Sequence, residues 1–186
     1  MSKLFRTTLW ILSGVGLIAF FFQTLSTFLI SPLMGLFSLL IAAVLVALVI
    51  FLLQRSPMWA RPARLWATLA FLWGGGVAVA LALISAGPVM QLAIGSGWVD
   101  AMMSWSGAYP EEISKATGVI FVLMSFRQLN RPWHGWIVGA VVGLGFEACE
   151  NILYGAMGAT MHLSWKKENR PLDRGGVQGA DPGDQR

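Results

Sequence analysis

Residues 33–53 read LMGLFSLLIAAVLVALVIFLL, a run without a single charged side chain. At about 1.5 Å of rise per residue, a helix of this length crosses a hydrocarbon layer of about 30 Å. The rest of the chain shares this character, because 56% of its 186 residues are hydrophobic and 12% are charged. Its mean hydropathy of +0.66 is well above that of water-soluble domains. The sequence therefore predicts an all-α membrane protein.

Further apolar segments on both sides of this run predict a polytopic helical bundle with about five transmembrane helices. The loop with Arg55, Arg61 and Arg64 and the loop with Arg127 and Arg131 are basic. The positive-inside rule therefore places both loops and the N-terminus in the cytoplasm of a multi-pass cell-membrane protein. Residues 161–186, rich in charge, Gly and Pro, are predicted to form a polar, disordered tail. The predicted spans are approximately residues 7–30, 33–53, 65–87, 111–126 and 134–158.

Charge and cysteine usage exclude several classes of function. The net charge of +4 comes from basic residues spread over short loops and the tail. They do not form the basic stripe of a nucleic-acid-binding protein, so no nucleic-acid partner is expected. The single Cys149 excludes an intramolecular disulfide framework and a Cys-based zinc cage. It is interpreted as a packing residue. Gly74, Gly75 and Gly76 are expected to let a neighbouring helix approach closely.

Carboxylates inside the last two spans are the strongest functional signal. Each ionisable side chain at the centre of a membrane helix costs about 2.5 to 3.5 kcal/mol on insertion scales. Lys115 lies one turn after the first of them. Measured along ideal helices, Glu112 is roughly 22 Å from Arg127 and Glu150 roughly 21 Å from Trp136, so both reach a similar depth. The four acids are Glu111, Glu112, Glu147 and Glu150.

Small and polar residues recur at three- and four-residue steps along the fifth span, which places them on one helix face. This stripe is predicted to face protein and to set its acids opposite Glu111, Glu112 and Lys115 in a shared cavity. Crowded carboxylates provide an acid and a base within one site, which suits the activation of water. The stripe comprises Gly139, Gly143, Glu147, Glu150, Asn151, Tyr154 and Gly158.

Structural interpretations of the same residues stay open. Pro110 followed by two glutamates is also an ordinary helix start, with acids near the positive end of the helix dipole. Glu150 and Asn151 can equally serve as interhelical hydrogen-bonding groups. The two histidines are poorly placed for a metal site, because His134 and His162 lie roughly 24 and 18 Å from Glu150 along a continuous helix. His134 is expected at the membrane interface.

Two motifs resemble the PrsW family of intramembrane metalloproteases, relatives of the CAAX prenyl endopeptidases. Residues 111–115, Glu-Glu-Ile-Ser-Lys, resemble the family's Glu-Glu-x-x-Lys. Residues 146–154, Phe-Glu-Ala-Cys-Glu-Asn-Ile-Leu-Tyr, resemble its Phe-x-x-x-Glu-Asn-x-x-Tyr helix. Both motifs occur in consecutive spans in the family's order, and the resemblance covers roughly residues 110–158.

The resemblance implies a zinc-dependent peptidase that cleaves membrane-embedded regulatory proteins such as anti-sigma factors. Glu111 or Glu112 would be the general base, and Glu150 and Asn151 would support the site or ligate the metal. Lys115, Glu147 and Tyr154 would have supporting roles. The family's pattern continues with two further helices, each with a His. Those helices do not follow in this sequence, so a truncated or inactive member of the family is expected.

Two other functions compete with this hypothesis. A non-catalytic membrane scaffold would keep the carboxylate cluster as a packing and binding device. A proton- or cation-coupled transporter would use the acids as an ion relay. The transporter ranks last because the chain shows no internal repeat.

Overall fold

A computed structural model describes residues 3–168, with the backbone alone at residues 3, 156, 159–160 and 162–168. Within this part of the chain every regular element is a helix. The prediction of an all-α membrane bundle is confirmed. The elements are α1 (Lys3–Ile30), α2 (Pro32–Arg55), α3 (Arg64–Leu72), a π-helical segment (Trp73–Ala78), α4 (Val79–Gly95), a 3-10 turn (Val99–Ala101), α5 (Met102–Ser106), α6 (Ala108–Ser125) and α7 (His134–Glu168).

Four helical stretches in the described residues are long and apolar enough to cross a membrane. They are Leu4–Ile30, Pro32–Arg55, Arg64–Gly95, which joins α3 to α4 through the π segment, and His134–Gly155. Helix α6 packs against α4, α7 and the π segment. It is not among the helices apolar enough to cross a membrane, because its first half contains the charged residues Glu111, Glu112 and Lys115. A helix with three charged residues therefore packs among apolar ones.

Two helices extend beyond their predicted ends. Helix α4 continues through Pro88 to Gly95, because one missing N–H does not outweigh the apolar sequence around it. Helix α7 continues past Gly158 to Glu168, over residues without Gly or Pro that were predicted to begin the tail. The remainder of that predicted tail, residues 169–186, lies outside the described part of the chain.

Glycines bring three helices into backbone contact at the centre of the bundle. A Cβ on Gly74 would collide with the carbonyl oxygen of Val142 in α7, and one on Gly76 would collide with the carbonyl of Gly16 in α1. Gly145 of α7 approaches the α3 backbone as closely. The predicted close approach at residues 74–76 is confirmed. The π-helical turn lies at this crossing, where it is buried throughout.

Trp73 connects this crossing to α6. Its side chain is 1% exposed, and its indole Nε1 donates a hydrogen bond of 3.0 Å to the carbonyl oxygen of Ser114. The ring stacks on Phe121 at a centroid distance of 5.3 Å and covers Gly118, where a Cβ would collide with it. These contacts fix the depth and rotation of α6, and with them the direction of its first-turn carboxylates.

Candidate functional site between helices α6 and α7

Helix α6 begins with a local structure that suits its acids. Pro110 is buried in the first turn, and Glu111 is the acidic residue of that turn. The backbone N–H of Glu111 donates to the carbonyl of Gly107 at 3.3 Å. The acid thus stands near the positive end of the helix dipole, as the helix-start interpretation expects. This local role does not exclude a functional one, because the side chain also reaches α7.

Lys115 links both glutamates of α6 to α7. Its Nζ lies 2.9 Å from Oε1 of Glu112 and 3.9 Å from Oε2 of Glu111. The same ammonium lies 4.2 Å from the ring centroid of Phe146 in α7, a cation–π contact. The Lys115 side chain is 17% exposed. It therefore places a positive charge at the α6–α7 interface, beside the carboxylates of both helices.

Glu150 completes the cluster from α7. It is half-buried, and the Tyr154 hydroxyl donates to its Oε1 at 3.2 Å. It interacts electrostatically with Glu111, Glu147 and Lys115. The fold thus brings Glu111 and Glu150 together, although they are 39 positions apart in the sequence. We refer to Glu111, Lys115, Glu150 and Tyr154 as the interhelical cluster.

The two glutamates of the first motif are not equivalent. The side chain of Glu112 is 72% exposed, and Glu112 is not among the groups that interact with Glu150. Glu111 is 28% exposed and turned toward α7. The sequence left both residues open as the general base, and the geometry favours Glu111.

The predicted orientation of the small and polar stripe of α7 is correct at Gly139, where a Cβ would lie 3.8 Å from Val119 of α6, and at the half-buried Glu150, but it is wrong for most of the stripe. Glu147, Asn151 and Tyr154 are exposed, and no atom lies within 4 Å of a Cβ built on Gly143 or Gly158. Helix α7 instead buries the neighbouring face, which carries β-branched residues and the closely packed Gly145. That face buries more apolar area, so it determines the rotation of the helix. Its buried residues include Ile137, Val138, Val141, Val142, Phe146 and Cys149.

Cys149 has the packing role assigned to it, with one partner that the sequence analysis missed. The thiol is free and buried, and its Sγ donates to Oε1 of Gln23 at 3.0 Å. Gln23 is the only amide side chain in α1. A lone Gln within an apolar span was the available signal, since such a side chain needs a partner in lipid.

The described donors do not form a complete zinc site. His134 is buried at the far end of α7, where its Nδ1 accepts a hydrogen bond of 3.1 Å from the N–H of Arg131 and its ring meets Trp133. Among the described side chains, no group of three or more His, Cys, Asp or Glu is placed to hold a metal ion. The predicted ligand Glu150 has Glu111 and the cation Lys115 as neighbours. His162 has no described side chain.

The fold and this site define a polytopic helical membrane protein with paired carboxylates at a helix interface. The PrsW family intramembrane metalloproteases match residues 62–170, which is more than half of the chain. The chain belongs to this family. The matched region contains α3 to α7 and all residues of the interhelical cluster. No curated protein and no solved structure matches the chain.

Family membership has direct consequences for function. It makes the chain a membrane protein of an intramembrane protease family. The family's description as metalloproteases also points to a metal.

Proposed function

We propose that this protein is an intramembrane peptidase in which Glu111 and Glu150 form the acid–base pair. The observation that supports it is the position of Lys115, whose Nζ lies 3.9 Å from Glu111 and 4.2 Å from the ring centroid of Phe146, one turn before Glu150 in α7. Peptide hydrolysis needs a base that takes a proton from the attacking water and an acid that protonates the leaving amine. Two coupled carboxylates, one protonated and one ionised, supply both functions.

The neighbours of this pair have complementary roles in the proposal. Glu111 is the general base, and Lys115 limits the build-up of negative charge beside it. The Tyr154 hydroxyl orients the Glu150 carboxyl through their hydrogen bond. Asn151 and Glu147 lie on the exposed side of α7. Their side chains can hydrogen-bond the backbone of a substrate that reaches the cluster from that side.

Zinc is the metal that the family resemblance implies for this site. Zinc sites in proteins usually have four ligands, commonly with imidazole among them. The cluster offers carboxylates, while the described residues add no imidazole to it. The roles proposed above are therefore those of the chain's own groups alone.

We propose membrane-embedded regulatory proteins, such as anti-sigma factors, as the substrates. The exposed stripe of α7 supports this proposal, because its polar groups stand on a helix that is apolar enough to span the membrane. The open space at Gly143 and Gly158 would let a substrate helix approach the α7 backbone closely.

The test is cleavage of a labelled transmembrane peptide by the purified full chain in proteoliposomes. Glu111→Gln and Glu150→Gln are expected to lower the rate at least 100-fold. Glu112→Gln is the matched control, because this carboxylate is 72% exposed, whereas that of Glu111 is 28% exposed; it should retain the rate within about threefold. The same assay with a chelator, together with elemental analysis, tests the metal that the family description points to. Unchanged cleavage in Glu111→Gln or in Glu150→Gln would refute the proposed pair.

A non-catalytic scaffold is the second candidate, and one observation favours it. The cluster is internally satisfied, since Lys115 pairs with both glutamates of α6 and Tyr154 bonds Glu150. A folded, metal-free protein without cleavage, in which Glu111→Gln lowers only the thermal stability, would support this role.

A further inference from the structure

A cavity of about 1370 Å³ opens at the end of the bundle opposite the interhelical cluster. It is lined by four arginines from separate parts of the chain: Arg6 of α1, Arg61 of the α2–α3 loop, Arg64 of α3 and Arg127 of the α6–α7 loop. We call this cavity the arginine basin. The sequence places these residues in basic segments, but only the fold brings them around one cavity.

The arginine basin contains no carboxylate among its lining residues. Among the described residues, the only ion pairs are those of Lys115 with Glu111 and Glu112. Glu112, the acid of α6 closest in sequence to the basin, lies 15 residues before Arg127, or roughly 22 Å along the helix. The four arginines are exposed around one cavity, and no carboxylate of its lining balances them. Such a grouping of positive charges attracts anions.

Buried contacts hold the walls of the basin in place. Trp59 and Phe126 line it and are 9% and 7% exposed. Trp59 packs on Trp66 at a centroid distance of 4.8 Å, and the Trp66 indole donates to the Ala60 carbonyl at 3.0 Å.

A hydrogen bond also joins the two loops that carry Arg61 and Arg127. The side-chain amide of Gln128 donates to the Pro62 carbonyl at 3.1 Å. The positions of the arginines in these loops thus follow from tertiary contacts.

We propose that the arginine basin binds the phosphate of an anionic phospholipid headgroup. Guanidinium groups bind phosphate oxygens in a bidentate manner. The basin lies where α1, α2, α3 and α6 begin or end, which is the level of the headgroups for helices that span the bilayer. This end is also the one that the positive-inside rule assigns to the cytoplasm, where anionic lipids attract basic segments.

The surroundings favour a lipid over a free phosphate ion. Leu65 lines the basin and is 45% exposed. An acyl chain of a lipid seated in the basin can lie along this apolar side chain. A zwitterionic lipid carries a cation in its headgroup, which the four arginines would repel.

The test is native mass spectrometry of the full chain in detergent, titrated with phosphatidylglycerol, phosphatidylcholine or inorganic phosphate. Wild type is expected to bind phosphatidylglycerol at least tenfold more tightly than phosphatidylcholine. Arg64→Gln combined with Arg127→Gln should reduce this preference to twofold or less. The matched control is Arg55→Gln combined with Arg131→Gln, which removes the same charge from the same end of the bundle. These two arginines are not among the lining residues of the basin, and their guanidinium groups contact the rings of Phe51 and Trp133. The control variant should keep the preference.

Three results would overturn the proposal. If the control variant lost the preference for phosphatidylglycerol equally, the preference would come from the total positive charge at this end and not from the basin. Equal binding of phosphatidylcholine would show that no anion is recognised. Displacement of phosphatidylglycerol by millimolar inorganic phosphate would show a site for the free anion. Should the double variant fail to fold, Arg6→Gln provides a second test, because this side chain is exposed on α1, and a loss of preference of at least threefold is expected.

Discussion

Replacing Gly74 with alanine should separate the helices that carry the interhelical cluster. The new methyl group would collide with the carbonyl oxygen of Val142 in α7, and a backbone atom cannot rotate away. Overpacking of this kind costs about 1–3 kcal/mol. The better helix propensity of alanine returns up to about 1 kcal/mol. A net loss of about 1–2 kcal/mol lowers the Tm of a chain of this size by roughly 2–8 °C.

The single cysteine of the chain provides the assay. Cys149 is 1% exposed and packs against the core next to Phe146, so a fluorescent maleimide labels it when the bundle opens. Labelling during a thermal ramp in detergent then reports the Tm. Gly14→Ala in α1 is the matched control, because no atom lies within 4 Å of a Cβ built on Gly14 and no proline follows it. Its Tm should be unchanged or higher.

A Gly74→Ala protein that melts at or above the wild-type temperature would contradict this prediction. An equal loss of stability in Gly14→Ala would contradict it too, since the effect would then come from glycine replacement in any membrane helix. Either result would mean that the crossing of the π-helical segment with α7 has room for a methyl group at Gly74.

Two further predictions concern contacts of α6. Trp73→Phe removes the indole hydrogen bond to the Ser114 carbonyl, which keeps its partner within the α6 helix. The change should cost about 0.5–1.5 kcal/mol, measured by the same thermal ramp; an unchanged Tm would contradict this. Lys115→Met removes the cation beside Glu111 and Glu112, so the rate of peptide cleavage should fall at least tenfold. Lys115→Arg keeps the charge and should retain more activity than Lys115→Met. Equal rates in the wild type and both variants would exclude a role of Lys115 in the site.

The class of protein and most helices followed from the sequence. A run such as residues 33–53 can only be satisfied as a helix in lipid, because its backbone groups must bond internally. The glycines at 74–76 also predicted a close helix crossing, since small residues are what such crossings require. Helix ends were less predictable, as α4 and α7 show, because one proline or glycine does not by itself end an apolar helix.

The orientation of side chains at the site was decided by tertiary structure. Glu111 and Glu112 are adjacent in sequence, and only the rotation of α6, fixed by Trp73 against Ser114, turns Glu111 toward Glu150. Most of the α7 stripe was predicted to face protein but is exposed, for the same reason, since periodicity defines a helix face without saying which face is buried. Convergence of the four arginines depends on loops whose positions come from long-range contacts. Local composition and period are properties of the sequence, whereas the choice of buried face depends on how the helices fit together.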